Sequence, residues 1–245
     1  MKRCTFLVCM LANLSAYADE VPPHWEFSIT PYLWFGSDHT TYSAVVPPGS
    51  PPLRGKTDLG DILSHLDSFP LMGVGEVRYG RFGLAMDIVA LSANFGTHLT
   101  TPPFLAGEAK VSEVQTSAIG YYRIVKTPEQ SADLGLGVRA WVLTNTLTFG
   151  PASLDNHTHI LNPILSGRYH HALPANFGVT LYGDIGGGVG GAKLLYQAVA
   201  LVDYKITDWL SFHAGYRYSY FDYRGRIIQF NAGMQGPLLG ATFRF

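Results

Sequence analysis

The feature that most constrains this chain is a period-two alternation of apolar and polar residues that runs from Trp25 to the last residue. In the first alternating segment, Trp25 and Phe27 share one face, while Glu26 and Ser28 share the other. Alternation of this kind predicts β-strands with two unlike faces. Ten segments show it, and most are long enough for a tilted bilayer crossing. They cover 25–35, 69–79, the segment beginning at 82, 108–124, 133–149, 159–171, 176–187, 193–205, 209–222 and 227–245.

Composition decides what the two faces of the strands contact. Charged residues make up only 14% of the chain and aromatic residues 13%, whereas soluble domains carry about 25% charged residues. Only helices and closed barrels can span hydrocarbon, because every backbone polar group must be paired internally. The sequence therefore predicts an all-β fold: an antiparallel, up-and-down transmembrane β-barrel of about ten strands, with eight or twelve possible. The soluble alternative, a lipocalin-like barrel or a β-sandwich, would need many more Lys and Glu residues on its water-facing side.

The N-terminus has the layout of a secretory signal. Lys2 and Arg3 precede a short apolar run at 6–12, and Ala16 and Ala18 give the small-x-small pattern of a cleavage site. We therefore expect residues 1–18 to be a cleaved signal peptide and residues 19–245 to form the barrel domain.

Removing the signal changes the cysteine and charge counts. Cys4 and Cys9 both lie within it, so the mature chain holds no cysteine for disulfides. The mature chain keeps 15 basic residues against 18 acidic ones, because Lys2 and Arg3 are lost from the 17. This balance argues against a nucleic-acid partner, which calls for a basic patch.

The connections between predicted strands alternate in length, as expected of outer-membrane barrels. If the short turns face the periplasm, both ends of the barrel domain do too. Within the first long connection, Leu59, Ile62, Leu63 and Leu66 have helical spacing, which predicts a short amphipathic helix at 58–66. That helix would either constrict the barrel mouth or pack on neighbouring loops. The short turns are 80–81, 125–132, 172–175 and 206–208, and the long connections include 37–67, 97–107 and 150–158.

The last predicted strand changes phase along its length. Ile228, Phe230, Ala232 and Met234 alternate out of step with the apolar positions from Leu239 to the end. We expect a β-bulge near Gly236-Pro237 to restore the phase.

Charged residues recur on one face of the strands, where they would line the lumen. Such a mixed-sign lining is either a paired ionic core that holds a closed barrel or the wall of a narrow aqueous path. In a channel, Arg123, Arg139 and Arg217 would be the obvious selectivity residues. The predicted lumen-lining set is Glu76, Arg78, Asp87, Glu113, Arg123, Arg139, Arg168, Asp184, Arg217 and Arg244.

Aromatic residues near the strand ends predict the interfacial girdles of a membrane barrel. The predicted periplasmic girdle is Trp25, Tyr79, Phe82, Tyr122, Tyr204 and Phe245. The predicted outer girdle is Trp34, Phe35, Phe95 and Phe149.

Three patterns that could carry chemistry have simpler explanations. Ser211 and His213 share a face, but no acidic residue is evident to orient the histidine. His157 and His159, near Asp155, are spaced to share a metal ion, yet a polar loop often contains such residues. The glycine-rich run at 186–191 joins two strands and lacks the helix and lysine of a phosphate-binding loop. We therefore expect no enzymatic activity, cofactor or metal.

Several stretches resemble an uncharacterised family of Gram-negative outer-membrane β-barrel proteins. They are 30–34, 58–63, 76–83, 183–187, 216–218 and 236–245. The alternating C-terminus with Phe243 and Phe245 also resembles the signal read by the outer-membrane assembly machinery. The resemblance implies an integral outer-membrane location, contact with outer-membrane lipid and lipopolysaccharide, and the assembly machinery as a partner during biogenesis.

We predict a non-enzymatic outer-membrane barrel that is either structural or a narrow porin-like channel for ions and small solutes. The alternatives are a surface-binding or adhesion barrel acting through its outer loops, chiefly 37–67, and an outer-membrane lipid-modifying enzyme.

Overall fold

The computed structural model describes residues 24–44, 53–57, 69–98, 106–149, 152–188, 191–224 and 228–245. The predicted signal peptide and the predicted helix at 58–66 lie outside these ranges. In the described part of the chain, no helix is long and apolar enough to cross a membrane. The strands are β1 (Trp25–Trp34), β2 (Ser37–Ala44), β3 (Leu53–Thr57), β4 (Leu71–Tyr79), β5 (Phe82–His98), β6 (Ala106–Lys126), β7 (Gln130–Phe149), β8 (Ala152–Ala172), β9 (Phe177–Gly186), β10 (Ala192–Lys205), β11 (Leu210–Arg224) and β12 (Ile228–Arg244).

Ten of these strands close into an antiparallel up-and-down barrel, which confirms the predicted fold. β1 and β4 to β12 pair with their neighbours in chain order, and β1 returns to pair with β12. The closing register runs from Ser28↔Arg244 to Trp34↔Leu238. Closure pairs the backbone groups that the edge strands of an open sheet would leave exposed.

The other two strands form a hairpin on top of the barrel wall. β2 pairs with β12 through Ser37↔Gln235, in the same register as β1, and β3 pairs with β2. The expectation of one loop across 37–67 was therefore wrong for β2 and β3. The predicted connections at 97–107 and 150–158 are also shorter, because strands extend into them. Continuing the ladder gives those backbone groups partners.

The bulge expected near Gly236-Pro237 is absent from the β11–β12 pairing, and that prediction was wrong. The register is unbroken from Leu210↔Phe243 to Arg224↔Gln229. On the other side of β12, the carbonyl oxygen of Pro237 accepts a hydrogen bond from the Phe35 N–H at 2.9 Å. The apolar residues change phase because the strand passes from one environment to another.

The two ends of the barrel differ in their connections. At one end, here called the turn end, short connections join the strands and both barrel termini lie there; the opposite end is called the loop end. Near the turn end the outer wall is apolar: Leu134, Leu136 and Val138 of β7 are all exposed. Further along, the outward positions become polar, as at Thr144 of β7 and at His159, an exposed residue of β8.

The interior shows the opposite gradient. Charged and hydroxyl side chains fill the turn-end half, whereas Trp141, Ile160, Leu195 and Phe221 pack together in the loop-end half. Met234, one of the out-of-phase residues of β12, packs inside against a second buried cluster that contains Trp34. β6 and β8 are 21 residues long, about twice what a tilted crossing needs. The inversion is therefore what a barrel extending from lipid into water requires.

Candidate functional site: the turn-end cavity

The turn-end half of the barrel encloses a cavity of about 580 Å³. Its mouth is bordered by residues at the strand ends, including Glu26, Arg244 and Phe245. Its deep end is lined by Val74, Ala85, Ile119, Gln197, Arg217 and Leu238. It is the largest space described inside the barrel that a ligand could enter.

One wall of the cavity holds five charged side chains from β4, β6, β7 and β8, which we call the arginine cluster: Glu76, Arg78, Arg123, Asp133 and Arg168. Arg168 bonds Glu76 at 2.6 Å and Asp133 at 2.8 Å. Arg78 bonds the same two carboxylates at 2.8 and 3.0 Å, and Arg123 Nε bonds Asp133 at 2.8 Å. Two carboxylates thus accept from three guanidinium groups.

Aromatic packing fixes the most exposed member of this cluster. The Arg168 guanidinium lies 4.9 Å from the centre of the Tyr121 ring, a distance at which the cation is attracted to the ring face. A register shift in the β6–β7 ladder lies between Arg123 and Val125. Both arginines that line the cavity from this wall are therefore held in defined positions.

The opposite wall carries a chain of hydrogen bonds built around Asp203. His213 Nδ1 lies 2.6 Å from one Asp203 oxygen, and His213 Nε2 lies 2.6 Å from Thr242 Oγ1. On the other side, Thr180 Oγ1 donates to Asp203 at 2.5 Å, and His170 Nδ1 lies 3.3 Å from it. Five side chains from four strands share this network.

This network supplies the acidic partner of His213 that sequence reasoning missed. Asp203 and His213 are paired across the β10–β11 hairpin, so counting back equally from the short turn at 206–208 would have found the contact. Ser211 does not complete a catalytic triad, because its hydroxyl accepts from Arg244 at 2.7 Å. The hydroxyl facing His213 belongs to buried Thr242, which is also bonded to Thr30 at 2.7 Å. The backbone of β12 is paired with both β11 and β1 around this residue.

The deep end of the cavity is closed partly by Arg217. Its guanidinium donates to the Tyr32 hydroxyl at 2.8 Å, to Gln197 Oε1 at 2.7 Å and to Asp87 at 3.3 Å. It also lies 4.6 Å from the centre of the Trp34 ring. Trp34 is thus buried inside the barrel, so its assignment to the outer girdle was wrong: as a neighbour of outward-facing Leu33, it points to the lumen.

A bidentate ion pair crosses the interior beside Arg217. Arg139 donates to the two oxygens of Asp184 at 3.0 and 2.7 Å, and to Ser117 at 2.9 Å. Tyr182 also donates to Asp184. Removing one partner of a buried pair costs about 3–5 kcal/mol, so this pair resists opening. Beyond it lie the buried apolar side chains of the loop-end half.

The structure places the ten predicted lumen residues on the inner side of the wall. Nine of them take part in the contacts just described. The tenth, Glu113, accepts a hydrogen bond from the Trp141 indole in the loop-end half. These contacts bring Glu76, Arg78, Arg123 and Arg168 together in one cluster and keep the Arg139 and Arg217 groups separate.

Exposed aromatic side chains ring the turn end. Trp25 packs on Tyr79 at 4.9 Å between ring centres, Phe82 on Tyr122 at 5.2 Å, and Phe177 on Tyr204 at 4.9 Å. Phe243 stacks on Trp209, and the side chain of Phe245 is exposed. Toward the loop end, the stacked rings of Tyr196, Tyr218 and Tyr220 were not foreseen as part of an outer girdle. The side chains of Phe95 and Phe149 lie outside the described set.

The remaining sequence patterns stay apart from the cavity. His157 Nδ1 lies 3.1 Å from the hydroxyl of Thr144 on the loop-end surface. Among the described residues, no group of three or more His, Cys, Asp or Glu is arranged to hold a metal ion. Gly187, Gly188 and Gly191 have positive φ angles in the connection from β9 to β10, which explains the glycine-rich run as a turn.

Comparisons with known proteins support the fold. The barrel is similar to the outer-membrane protease OmpT of Escherichia coli, with a TM-score of 0.60 and 8% identity over 91% of this chain and 98% of that chain. The translocator domain of the autotransporter NalP from Neisseria meningitidis gives a TM-score of 0.43 at 12% identity, covering 98% and 96% of the two chains. Ail, the attachment invasion locus protein of Yersinia pestis, gives 0.33 at 15% identity, covering 90% and 98%.

These structural neighbours are Gram-negative outer-membrane β-barrels. At such low identity the likeness concerns the fold alone. No protein-family model matches the chain, and neither does any curated protein sequence.

Proposed function

We propose that this chain is a non-enzymatic integral protein of the Gram-negative outer membrane whose lumen is closed at mid-height. An apolar outer wall near the turn end, exposed aromatic rings beside it and a closed ladder are the features that a barrel in lipid needs. The OmpT-like fold supports the same placement. In this orientation the turn end, with the cavity mouth, faces the periplasm, and residues 1–18 act as a cleaved signal.

The observation that carries the closed-lumen proposal is the filling of the interior beyond the cavity. Arg139 and Asp184 are both buried, and Trp141 and Phe221 pack edge to face at 4.5 Å between ring centres above them. Barrels of eight strands are filled with side chains, whereas those of sixteen are open, and ten strands lie near the filled end. A structural role is thus favoured over a porin-like channel.

The non-enzymatic part of the proposal is supported by the surroundings of the Asp203–His213–Thr242 chain. Its order of carboxylate, imidazole and hydroxyl has the form of a triad. However, the Thr242 hydroxyl is buried, and the surrounding backbone of β12 is engaged in the sheet on both sides. Its groups are therefore committed to the ladder rather than free to stabilise an oxyanion. The proposed partners are outer-membrane lipid, lipopolysaccharide and, during biogenesis, the assembly machinery.

The test is single-channel conductance of the refolded mature protein in a planar lipid bilayer, beside the same protein lacking residues 52–67. We expect neither form to conduct, because side chains of the wall close the lumen. Steady conductance of the intact protein, altered by reversing the charge of Arg139 or Arg217, would establish the channel alternative. Conductance of the deletion form alone would assign closure to residues 52–67 and would also contradict the proposal.

A further inference from the structure

The arginine cluster carries an uncompensated positive charge. Three guanidinium groups, on Arg78, Arg123 and Arg168, face only two carboxylates, on Glu76 and Asp133. The Arg78 and Asp133 side chains are almost fully buried, at 3% and 2% exposure. A charge removed from water without a counter-charge is costly. The cluster is therefore more stable with one further negative charge beside it.

The open side of the cluster faces the cavity. Glu76 and the three arginines line the cavity, whereas Asp133 lies behind them. Arg123 directs Nε and Nη2 to Asp133, and among the described residues no acceptor is recorded for its Nη1. Arg168 is the most exposed member of the cluster, at 23%. An anion in the cavity would thus meet guanidinium donors in a fixed geometry, which is how arginine recognises carboxylates.

The other acidic groups of the cavity do not supply the missing charge. Asp203 is engaged by His170, Thr180 and His213. Asp87 is held at the deep end by Arg217 and Tyr32. Glu26, at the mouth, pairs with His24 at 3.1 Å. Arg244, also at the mouth, adds a further cation whose recorded partner is the neutral Ser211.

The remainder of the cavity selects the body of the ligand. Val74, Ala85, Ile119, Val199, Leu201 and Leu238 contribute apolar surface to its lining. Concave sites that combine apolar lining with a few fixed polar groups are typical of small-molecule binding. A volume of about 580 Å³ admits a small molecule and excludes a folded chain.

We propose that the turn-end cavity binds a small organic monoanion, with its carboxylate on Arg123 and Arg168 and its apolar body toward Leu201 and Leu238. This inference goes beyond the proposed function and does not depend on the lumen being closed. Binding is measured on purified protein in a zwitterionic detergent, so the result is also independent of the membrane orientation.

The experiment is isothermal titration of the mature protein with benzoate at constant ionic strength. Benzamide, neutral and of the same shape, is the matched ligand, and inorganic phosphate is the anion without an apolar body. We expect saturable binding of one benzoate, weakened by added salt, with benzamide and phosphate each at least about tenfold weaker. Equal binding of benzamide would mean an apolar pocket only, and tighter binding of phosphate would mean an inorganic-anion site; either result overturns the proposal.

Two variants that shift the charge in opposite directions test the mechanism. Arg123→Gln leaves two guanidinium groups against two carboxylates and should weaken benzoate binding about tenfold or more. Glu76→Gln leaves three against one and should strengthen it. Arg224→Gln makes the same net change as Arg123→Gln at the loop end, where Arg224 pairs with Asp222, and should have no effect. Unchanged affinity in a folded Arg123→Gln or Glu76→Gln protein would refute the proposal.

Discussion

At the scale of single residues, the four tryptophans distinguish the two sides of the wall. Trp25 and Trp209 are 61% and 54% exposed on the outer surface near the turn end, whereas Trp34 and Trp141 are 6% and 7% exposed inside the barrel. The indole of an outward tryptophan sits at the membrane interface. The inward pair instead packs on other side chains: Trp34 beside Arg217, and Trp141 against Phe221.

This difference predicts how each tryptophan responds to lipid. In variants that keep one tryptophan and replace the others with Phe, we expect lipids brominated near the headgroup to quench Trp25 and Trp209 strongly. Trp34 and Trp141 should be little affected, because the wall separates them from lipid. Intrinsic fluorescence in vesicles of brominated and ordinary lipid is the measurement. Strong quenching of Trp34 would restore it to the outer girdle and contradict its place beside Arg217.

At the scale of strands, glycine marks places where neighbouring backbones come too close for a side chain. A Cβ atom added at Gly215 of β11 would lie 2.0 Å from the carbonyl oxygen of Ala200 on β10. Because the obstacle is backbone, a methyl group there requires the sheet to move. Gly75 of β4 is a matched contrast, since a Cβ atom there meets nothing within 4 Å.

We expect Gly215→Ala to destabilise the barrel by about 1–3 kcal/mol through overpacking. Gly75→Ala should be neutral, or stabilising by up to about 1 kcal/mol, because alanine restricts the unfolded chain. The measurement is the urea midpoint of the protein refolded in vesicles, compared at equal dependence on denaturant. Similar midpoints for the two variants would mean that the close approach of β10 and β11 does not constrain the fold.

At the scale of the whole molecule, the inversion of polarity defines how much of the barrel is in lipid. On the outer face of β8, Leu165 lies in the apolar part of the wall, and exposed His159 lies six positions nearer the loop end. A lysine in the middle of the bilayer costs about 2–4 kcal/mol, and near the interface about 0–1 kcal/mol. The two positions should therefore respond very differently to the same change.

Accordingly, Leu165→Lys should lower the free energy of unfolding in vesicles by about 2–4 kcal/mol, and His159→Lys by less than about 1 kcal/mol. Reversible urea unfolding in short-chain lipid vesicles measures both. The same substitutions in a detergent that covers the entire wall serve as the control for local packing. Equal costs in vesicles would place both residues at the same depth and contradict the proposed membrane boundary.

The sequence alone predicted the barrel class, the strand number and the face on which most side chains lie. It could do so because the period-two alternation is a local property of each strand, and because the low charge and high aromatic content bear on the solvent that surrounds the wall. The same reasoning failed for Trp34, which was assigned from its position near a strand end, although alternation with Leu33 turns it inward. It also failed at Gly236-Pro237, where a change of environment was interpreted as a bulge.

Only the tertiary structure decided which side chains meet across the interior. Arg168 and Glu76 are 92 positions apart, and Arg217 and Tyr32 are 185 apart; their contacts depend on the diameter and stagger of the closed barrel, which no single strand encodes. The surplus charge of the arginine cluster emerges only when β4, β6, β7 and β8 are brought together. Closure fixes these relations because each strand's register is set by both neighbours, and the last strand must match the first.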